Sequence, residues 1–217
     1  PLADPYVLGI SGGAGVGALA AMLFGLATVG INGCALIGAF GAMLLVFGLS
    51  HGEGTWTQAR LLLTGVIVAA GCGAVVALIL ALAPEYKLHG MLFWLMGDLS
   101  QVVDPTPALL VLGLAVAICL PFARELNLLG RGIESAQALG VSVGRLRFTV
   151  YFLASLATAA AVTTAGSVGF IGLIVPHLVR LATGNDQRLL LPASALAGGA
   201  LLVCADTLAR IVIAPQQ

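Results

Sequence analysis

Residues 124 to 147 read RELNLLGRGIESAQALGVSVGRLR, a polar island between two long apolar runs. Of the chain's nine basic and nine acidic residues, six stand here: Arg124, Glu125, Arg131, Glu134, Arg145 and Arg147. Inside the island, Glu134 to Leu139 predicts a short helix. Gly140 stops it, because glycine accepts the left-handed backbone that closes a helix. Ser142 then caps a second short helix from Val143 by accepting a hydrogen bond from a free first-turn N–H. Two short helices with small residues between them make a shelf outside the membrane, suited to docking a partner.

The runs on either side fix the class. The chain is 60% hydrophobic and 8% charged, whereas a soluble domain carries about 25% charged residues. A water-soluble fold of 217 residues could not hide that much apolar surface, so the expectation is an all-α polytopic membrane protein. A net charge of zero leaves no electrostatic footprint for nucleic acid. The 29 glycines suit membrane helices packed backbone against backbone. Cys34, Cys72, Cys119 and Cys204 lie in apolar runs without CxxC spacing, so they read as small packers. Opening on Pro1 without an initiator Met or signal peptide, the sequence reads as a piece of a longer protein.

Apolar runs able to approach or cross about 30 Å of hydrocarbon fall near 8–28, 31–50, 61–83, 108–123, 148–166, 169–183 and 189–205. The sixth is short and carries Pro176, as in a broken or tilted helix. With the odd-numbered spans running outward, Arg60, Arg124, Arg131, Arg145, Arg147, Arg180 and Arg188 are cytoplasmic. Only Lys87 and Arg210 are left outside, which is the positive-inside bias. The outer segment 84–107 exceeds a tight turn. Its stretch from Leu88 to Gly97, with Trp94, predicts a helix lying in the interface, and Pro105 and Pro107 open the next span.

Gly13-Ala-Gly15-Val-Gly17-Ala18 fits a loose dinucleotide pattern but lacks the preceding strand and the following acid, so it reads as close helix packing. No phosphate-loop motif for ATP occurs. None of the acidic residues sits at mid-span, where a proton-coupled carrier needs one, so the energy source is expected on another subunit. His177 and Arg180 share a helix face after Pro176. They suit either a polar contact on a pathway or a structural pair with Arg180 reaching for the interface.

Pro1-Leu-Ala-Asp-Pro5 with Leu8-Gly-Ile-Ser-Gly-Gly-Ala14 resembles the opening NPLADPxLLGISSGA of the iron-siderophore, haem and vitamin B12 permease family. Leu61 to Gly65, Phe93 to Gly97, Ala138 to Gly140, Gly169 to Leu173, Pro176-His177, Leu191-Pro192 and Ala205 to Arg210 match in order. The resemblance covers essentially the whole chain. It implies one transmembrane permease domain over 1–217, about seven spans of a ten-helix subunit in the bacterial inner membrane. The family works as a homodimer in lipid with two ATPase subunits and a periplasmic substrate-binding protein. It is no enzyme itself, and no cofactor or metal is implied.

Residues 124–147 fall where that family places its cytoplasmic coupling segment, so Glu134, Ala136, Leu139 and Gly140 would meet the ATPase. Arg210 resembles the family's outer arginine, which docks the binding protein. The cytoplasmic gate lies by resemblance at Leu2 in the Pro1–Pro5 loop, and at Gln58 and Ala59 in the 57–60 loop. That second loop lacks the consecutive small hydroxyl residues some members carry. By composition, Ser11, Gly12, Gly13, Thr163, Thr164 and Ser167 suit the lining of a wide pathway for a large chelate. The implied function is permease of an ABC importer for iron chelates, haem or vitamin B12. The alternatives are a secondary carrier of a small solute and a non-transport scaffold.

Overall fold

The computed structural model describes residues 9–50, 58–97, 99, 102 and 104–213; of Gln58, Ala59, Val212 and Ile213 it describes the backbone alone. Among the described residues there are ten helices and no strand. All-α architecture follows from the solvent: hydrocarbon offers no partner to a free backbone N–H or C=O, and a helix satisfies both internally. The chain forms two compact units. One is drawn from Pro1–Leu112 and Phe152–Gly169, the other from Gly113–Tyr151 and Phe170–Gln217.

The first unit is built on α1 (Ile10–Leu23), α2 (Thr28–Ser50), α3 (Gln58–Leu82) and α4 (Glu85–Met96). It also takes in the start of α5 (Thr106–Cys119) and, past two further helices, the later part of α8 (Val143–Ala165). Glycine decides how its helices meet. A Cβ built on Gly13 would land on the Gly38 carbonyl oxygen, and one on Gly17 would land on the Cys34 carbonyl oxygen. Backbones of α1 and α2 therefore touch directly, which only residues without side chains allow. Ala14, Ala18 and Leu19 of α1 and Ala35 and Ala39 of α2 are buried beside this seam. The glycine pattern at 13–17 is a packing device, as its sequence context indicated.

The second unit holds the end of α5, then α6 (Ala123–Leu129), α7 (Ile133–Ala138), the start of α8, α9 (Ile171–Thr183) and α10 (Gln187–Ile213). Gly198 of α10 faces Ile171 and Val175 of α9 at ordinary van der Waals distance.

The apolar runs become helices with shifted ends. Four stretches are long and apolar enough to cross a membrane: α2, Arg60–Leu82, α8 and Gln187–Ile211. Helices α5 and α6 meet at a 67° bend and make a fifth if the pair is one broken span. α1 and α9 are apolar but have 14 and 13 residues, about 20 Å of helix each. α1 is shorter than its run because glycines in left-handed conformation stand at both ends, Gly9 and Gly25. The 57–60 loop is largely helix, since α3 begins at Gln58. α10 runs past the predicted end at 205 to Ile213, with the Asp206–Arg210 pair folded into it. α9 contains Pro176 as expected and is preceded by Phe170, whose φ of 68° makes it a non-glycine residue in the left-handed region.

A side chain at Gly17 has nowhere to go but into the α2 backbone. Gly17→Val should therefore cost about 1–3 kcal/mol, and Gly33→Val, at a glycine with open space around it, should cost far less. Thermal unfolding of the two variants in detergent checks the difference.

Candidate functional site

The polar island folds as a shelf with its own small core. α6 ends at Gly130, and the chain turns through Arg131 and Gly132, whose N–H groups donate to the Leu128 and Leu129 carbonyls at 3.0 and 3.1 Å. α7 then ends as the sequence predicts. Gly140 has φ 82°, its N–H donates to the Gln137 carbonyl at 2.9 Å, and the Val141 N–H donates to the Ala136 carbonyl at 3.0 Å. This paired closure satisfies carbonyls a helix end otherwise leaves bare. Val141 and Ala136 also pack with Val143 and Leu146, and Phe122, Leu126, Leu128, Leu129 and Val150 press on that cluster. α6, α7 and the first turns of α8 are thereby one body.

Two details differ from the sequence reading. Val143 does not start a second short helix; it is the first residue of the 23-residue α8. The Ser142 carbonyl accepts from the Leu146 N–H at 3.1 Å. The other short helix of the shelf is α6, which the apolar run through 123 had concealed. Of the residues assigned to partner contact, Glu134, Leu139 and Gly140 are exposed, whereas Ala136 is fully buried under them. Small size at Ala136 serves the shelf's interior.

A second feature joins α6 to α10. The Asn127 Nδ2 donates to Asp186 Oδ1 at 2.9 Å, and Asn127 Oδ1 accepts from the Gln187 backbone N–H at 2.9 Å. Asp186 Oδ1 also accepts from the Arg188 N–H at 3.0 Å, capping α10. The Asn127 side chain, followed by the Arg188 N–H and the Arg188 charge, holds the Asp186 carboxyl below its ordinary pKa. A depressed pKa means the interaction is present above the ordinary carboxylate range and is lost only as pH falls below it. At neutral pH the carboxylate is ionised. Nothing near Asp186 in the sequence marks its partner, which lies 59 residues away.

In the first unit, α4 is held at both ends. Lys87 Nζ donates to the Met22 and Leu23 carbonyls at 3.2 and 2.8 Å, placing a cation on the negative end of α1. At the other end a Cβ on Gly166 would stand 2.7 Å from both the Gly97 Cα and the Trp94 carbonyl oxygen. Met91 between them is fully buried. The interfacial helix predicted at 88–97 is thus a docked element over Glu85–Met96. An open cavity of about 510 Å³ lies beside it, lined in part by Asn32, Tyr86, Lys87, Trp94, Thr163 and Thr164.

The residues proposed for a pathway divide between surroundings. Thr163 and Thr164 reach the cavity while donating to the Ala159 and Ala160 carbonyls at 2.8 and 2.7 Å. The Ser11 and Ser167 hydroxyls are 3.5 Å apart, with Ser11 buried. Gly13 is buried in the α1–α2 seam, and a Cβ on Gly12 would press on Cys72 of α3 at 2.9 Å. Arg210 Nε donates to Asp206 Oδ2 at 2.7 Å on its own helix, with its side chain about half exposed. His177 is exposed and Arg180 half-buried, its Nε lacking a hydrogen-bond acceptor among the described residues. Leu2 lies outside the described residues. Gln58 and Ala59 are the first residues of α3, and their side chains lie outside the description.

The shelf's register depends on Gly140. Gly140→Val puts a β-branched residue in the left-handed region, at a cost of about 1–2 kcal/mol. Amide exchange should accelerate across 133–141 by about tenfold, while exchange in α2 and α3 stays unchanged.

Comparison with known proteins places this geometry in a family. The model of the FecCD transport family matches residues 1–217. A cobalamin import system permease protein of Halobacterium salinarum is 45% identical over 213 residues, 97% of this chain and 58% of that relative. The hemin transport system permease protein of Yersinia pestis is 41% identical over 227 residues, 100% of this chain and 67% of the relative. The Fe(3+) dicitrate transport system permease protein of Escherichia coli is 36% identical over 221 residues, 99% and 66%. The chain thus spans 58% to 67% of the length of these relatives. A solved metal-chelate type ABC transporter in an inward-facing conformation superposes with a TM-score of 0.88 and 33% identity, covering 98% of this chain and 68% of that one. The apolar helices and these matches make the protein a multi-pass inner-membrane protein, and the chain belongs to the FecCD transport family.

Proposed function

We propose that this chain is part of the permease subunit of an ATP-driven importer that carries a metal chelate of the cobalamin, haem or iron-chelate class. The observation that carries the reading is the shelf. A membrane conduit that moves solute by its own gradient has no need of a two-helix body, closed by a glycine turn and packed on its own core, beside the spans. A conduit driven by a separate ATPase needs such a body, because force must enter at a rigid point. The relatives named for cobalamin import, hemin transport and Fe(3+) dicitrate transport supply the substrate class.

In this reading the permease acts as a homodimer with two ATPase subunits on the shelf side, and a substrate-binding protein delivers the chelate on the other. Exposed Glu134, Leu139 and Gly140 form the ATPase contact, with Ala136 supporting them from beneath. ATP closure pushes residues 124–147, and the two copies rock between inward-open and outward-open forms. Thr163, Thr164, Ser11 and the glycines at 12 and 13 belong to the helices flanking the route, and Ser167 to the connection after α8. The gate lies at Leu2, Gln58 and Ala59. Arg210, steered by Asp206, meets an acidic group on the binding protein. The chain hydrolyses nothing itself.

Leu139 is 66% exposed on the shelf, so Leu139→Asp should lower ATPase affinity by about tenfold or more. The permease should stay abundant in the membrane. Co-purification with the ATPase and ATP-driven uptake of cobalamin, hemin or ferric dicitrate in proteoliposomes are the measurements. Unchanged ATPase binding together with gradient-driven uptake would instead support a secondary carrier.

Topology provides an independent check. In a background without native cysteines, Ser135→Cys on the shelf should react with impermeant maleimide only from the cytoplasmic side. Tyr86→Cys, at the exposed start of α4, should react only from outside. Reversed labelling would remove the shelf from reach of a cytoplasmic ATPase.

A further inference from the structure

We infer that Asn127 is a positioning residue that passes displacement of the shelf into α10, through its paired hydrogen bonds to the start of that helix. The inference rests on the ATP-driven reading above and adds the route by which force leaves the shelf. Three observations carry it. First, α6 cannot move apart from α7, since Leu126, Leu128 and Leu129 press on the cluster formed by Ala136, Val141, Val143 and Leu146. Second, Asn127 uses both ends of its carboxamide on another element. Its Nδ2 donates to Asp186 Oδ1 and its Oδ1 accepts from the Gln187 N–H, both at 2.9 Å. Third, Asp186 is itself bonded to the Arg188 N–H, so the first turn of α10 is held from two adjacent residues.

Two bonds from one planar group fix direction as well as distance, which a single bond or an apolar contact does not. The helix they grip is long. α10 has 27 residues, about 40 Å at 1.5 Å per residue, and carries the Asp206–Arg210 pair near its far end. A shift at Gln187 therefore enters one continuous helix, past Pro192 in its second turn, that ends beyond the Asp206–Arg210 pair.

The chemistry supplies a swap that separates positioning from bulk stability. Asn127→Asp sets one carboxylate against another and loses the donor. Adding Asp186→Asn reverses the polarity of the contact: the new amide donates to the new carboxylate, which still accepts from Gln187, while the new amide oxygen must turn to keep the Arg188 N–H, since Asp186 Oδ1 had accepted both bonds. Asparagine caps a helix as well as aspartate does.

The test uses the permease dimer bound to its ATPase in nanodiscs. Cys34, Cys72 and Cys119 are replaced by Ala, and native Cys204 on α10 carries a spin label. Pulsed electron resonance reads the distance between the two labels with and without ATP and vanadate. The unswapped protein should show a nucleotide-dependent shift in the distance populations. Asn127→Asp should shrink that shift about three- to tenfold while ATPase binding and basal hydrolysis persist. The double swap should bring back a clear part of it. Asp186→Ala, which keeps the Asn127–Gln187 bond, should give a smaller loss and serves if Asn127→Asp does not assemble. A full shift in both single variants, or a double swap as deficient as Asn127→Asp, would overturn the inference while leaving the importer reading intact. A bound ATPase with no nucleotide-dependent shift even in the unswapped protein would overturn the coupling reading and this route with it.

Discussion

Every backbone N–H and C=O at membrane depth must find its partner within the chain, because hydrocarbon offers none. The architecture follows from how this is met at helix ends, where regular bonding stops. α1 closes at Gly25, whose N–H reaches the Met22 carbonyl while the Leu26 N–H reaches Ala21. Lys87 then adds a second bond to the Met22 carbonyl and takes the Leu23 carbonyl. α7 closes the same way at Gly140, and Asp104 accepts the Thr106 N–H at the start of α5. These closures set where helices stop and which segments can turn back as docked elements.

The same shortage of partners explains the glycines. Between spans in lipid there is little hydrophobic gain from association, so van der Waals contact must supply it. Gly13 and Gly17 let α1 lie on the α2 backbone at Gly38 and Cys34. The Gly97–Gly166 approach seats α4 beside the end of α8. Rigid seams of this kind suit a subunit whose helices shift as bodies, since a packed contact has few intermediate states.

Within the second unit, rigidity and connection are divided between two kinds of interaction. The shelf is held by apolar contact around Val141 and Leu146, and it is joined to α10 by polar, directional bonds at Asn127. The apolar cluster makes the shelf one body, and a carboxamide gripping two adjacent groups fixes the direction in which that body holds α10. The Asp186 carboxylate stays charged through the physiological range because its partners favour the ionised form, so the connection does not depend on ordinary changes of pH.

The sequence by itself determined the class, the element type and the shelf. Composition excludes a water-soluble core, and runs of apolar residues in lipid have only the helix available. The Gly140 stop was legible because a left-handed closure has one cheap residue. The Gly13–Gly17 pattern was legible as packing because no strand or acid accompanied it. The tertiary structure alone decided what depends on distant partners. Ala136 reads as surface within a six-residue helix until the cluster beneath it is seen. Asn127 carries no local signal at all, since its role is set by an aspartate 59 residues away. Local geometry is encoded in neighbouring residues and can be read from them, whereas a hydrogen bond between two helices exists only once packing has fixed both.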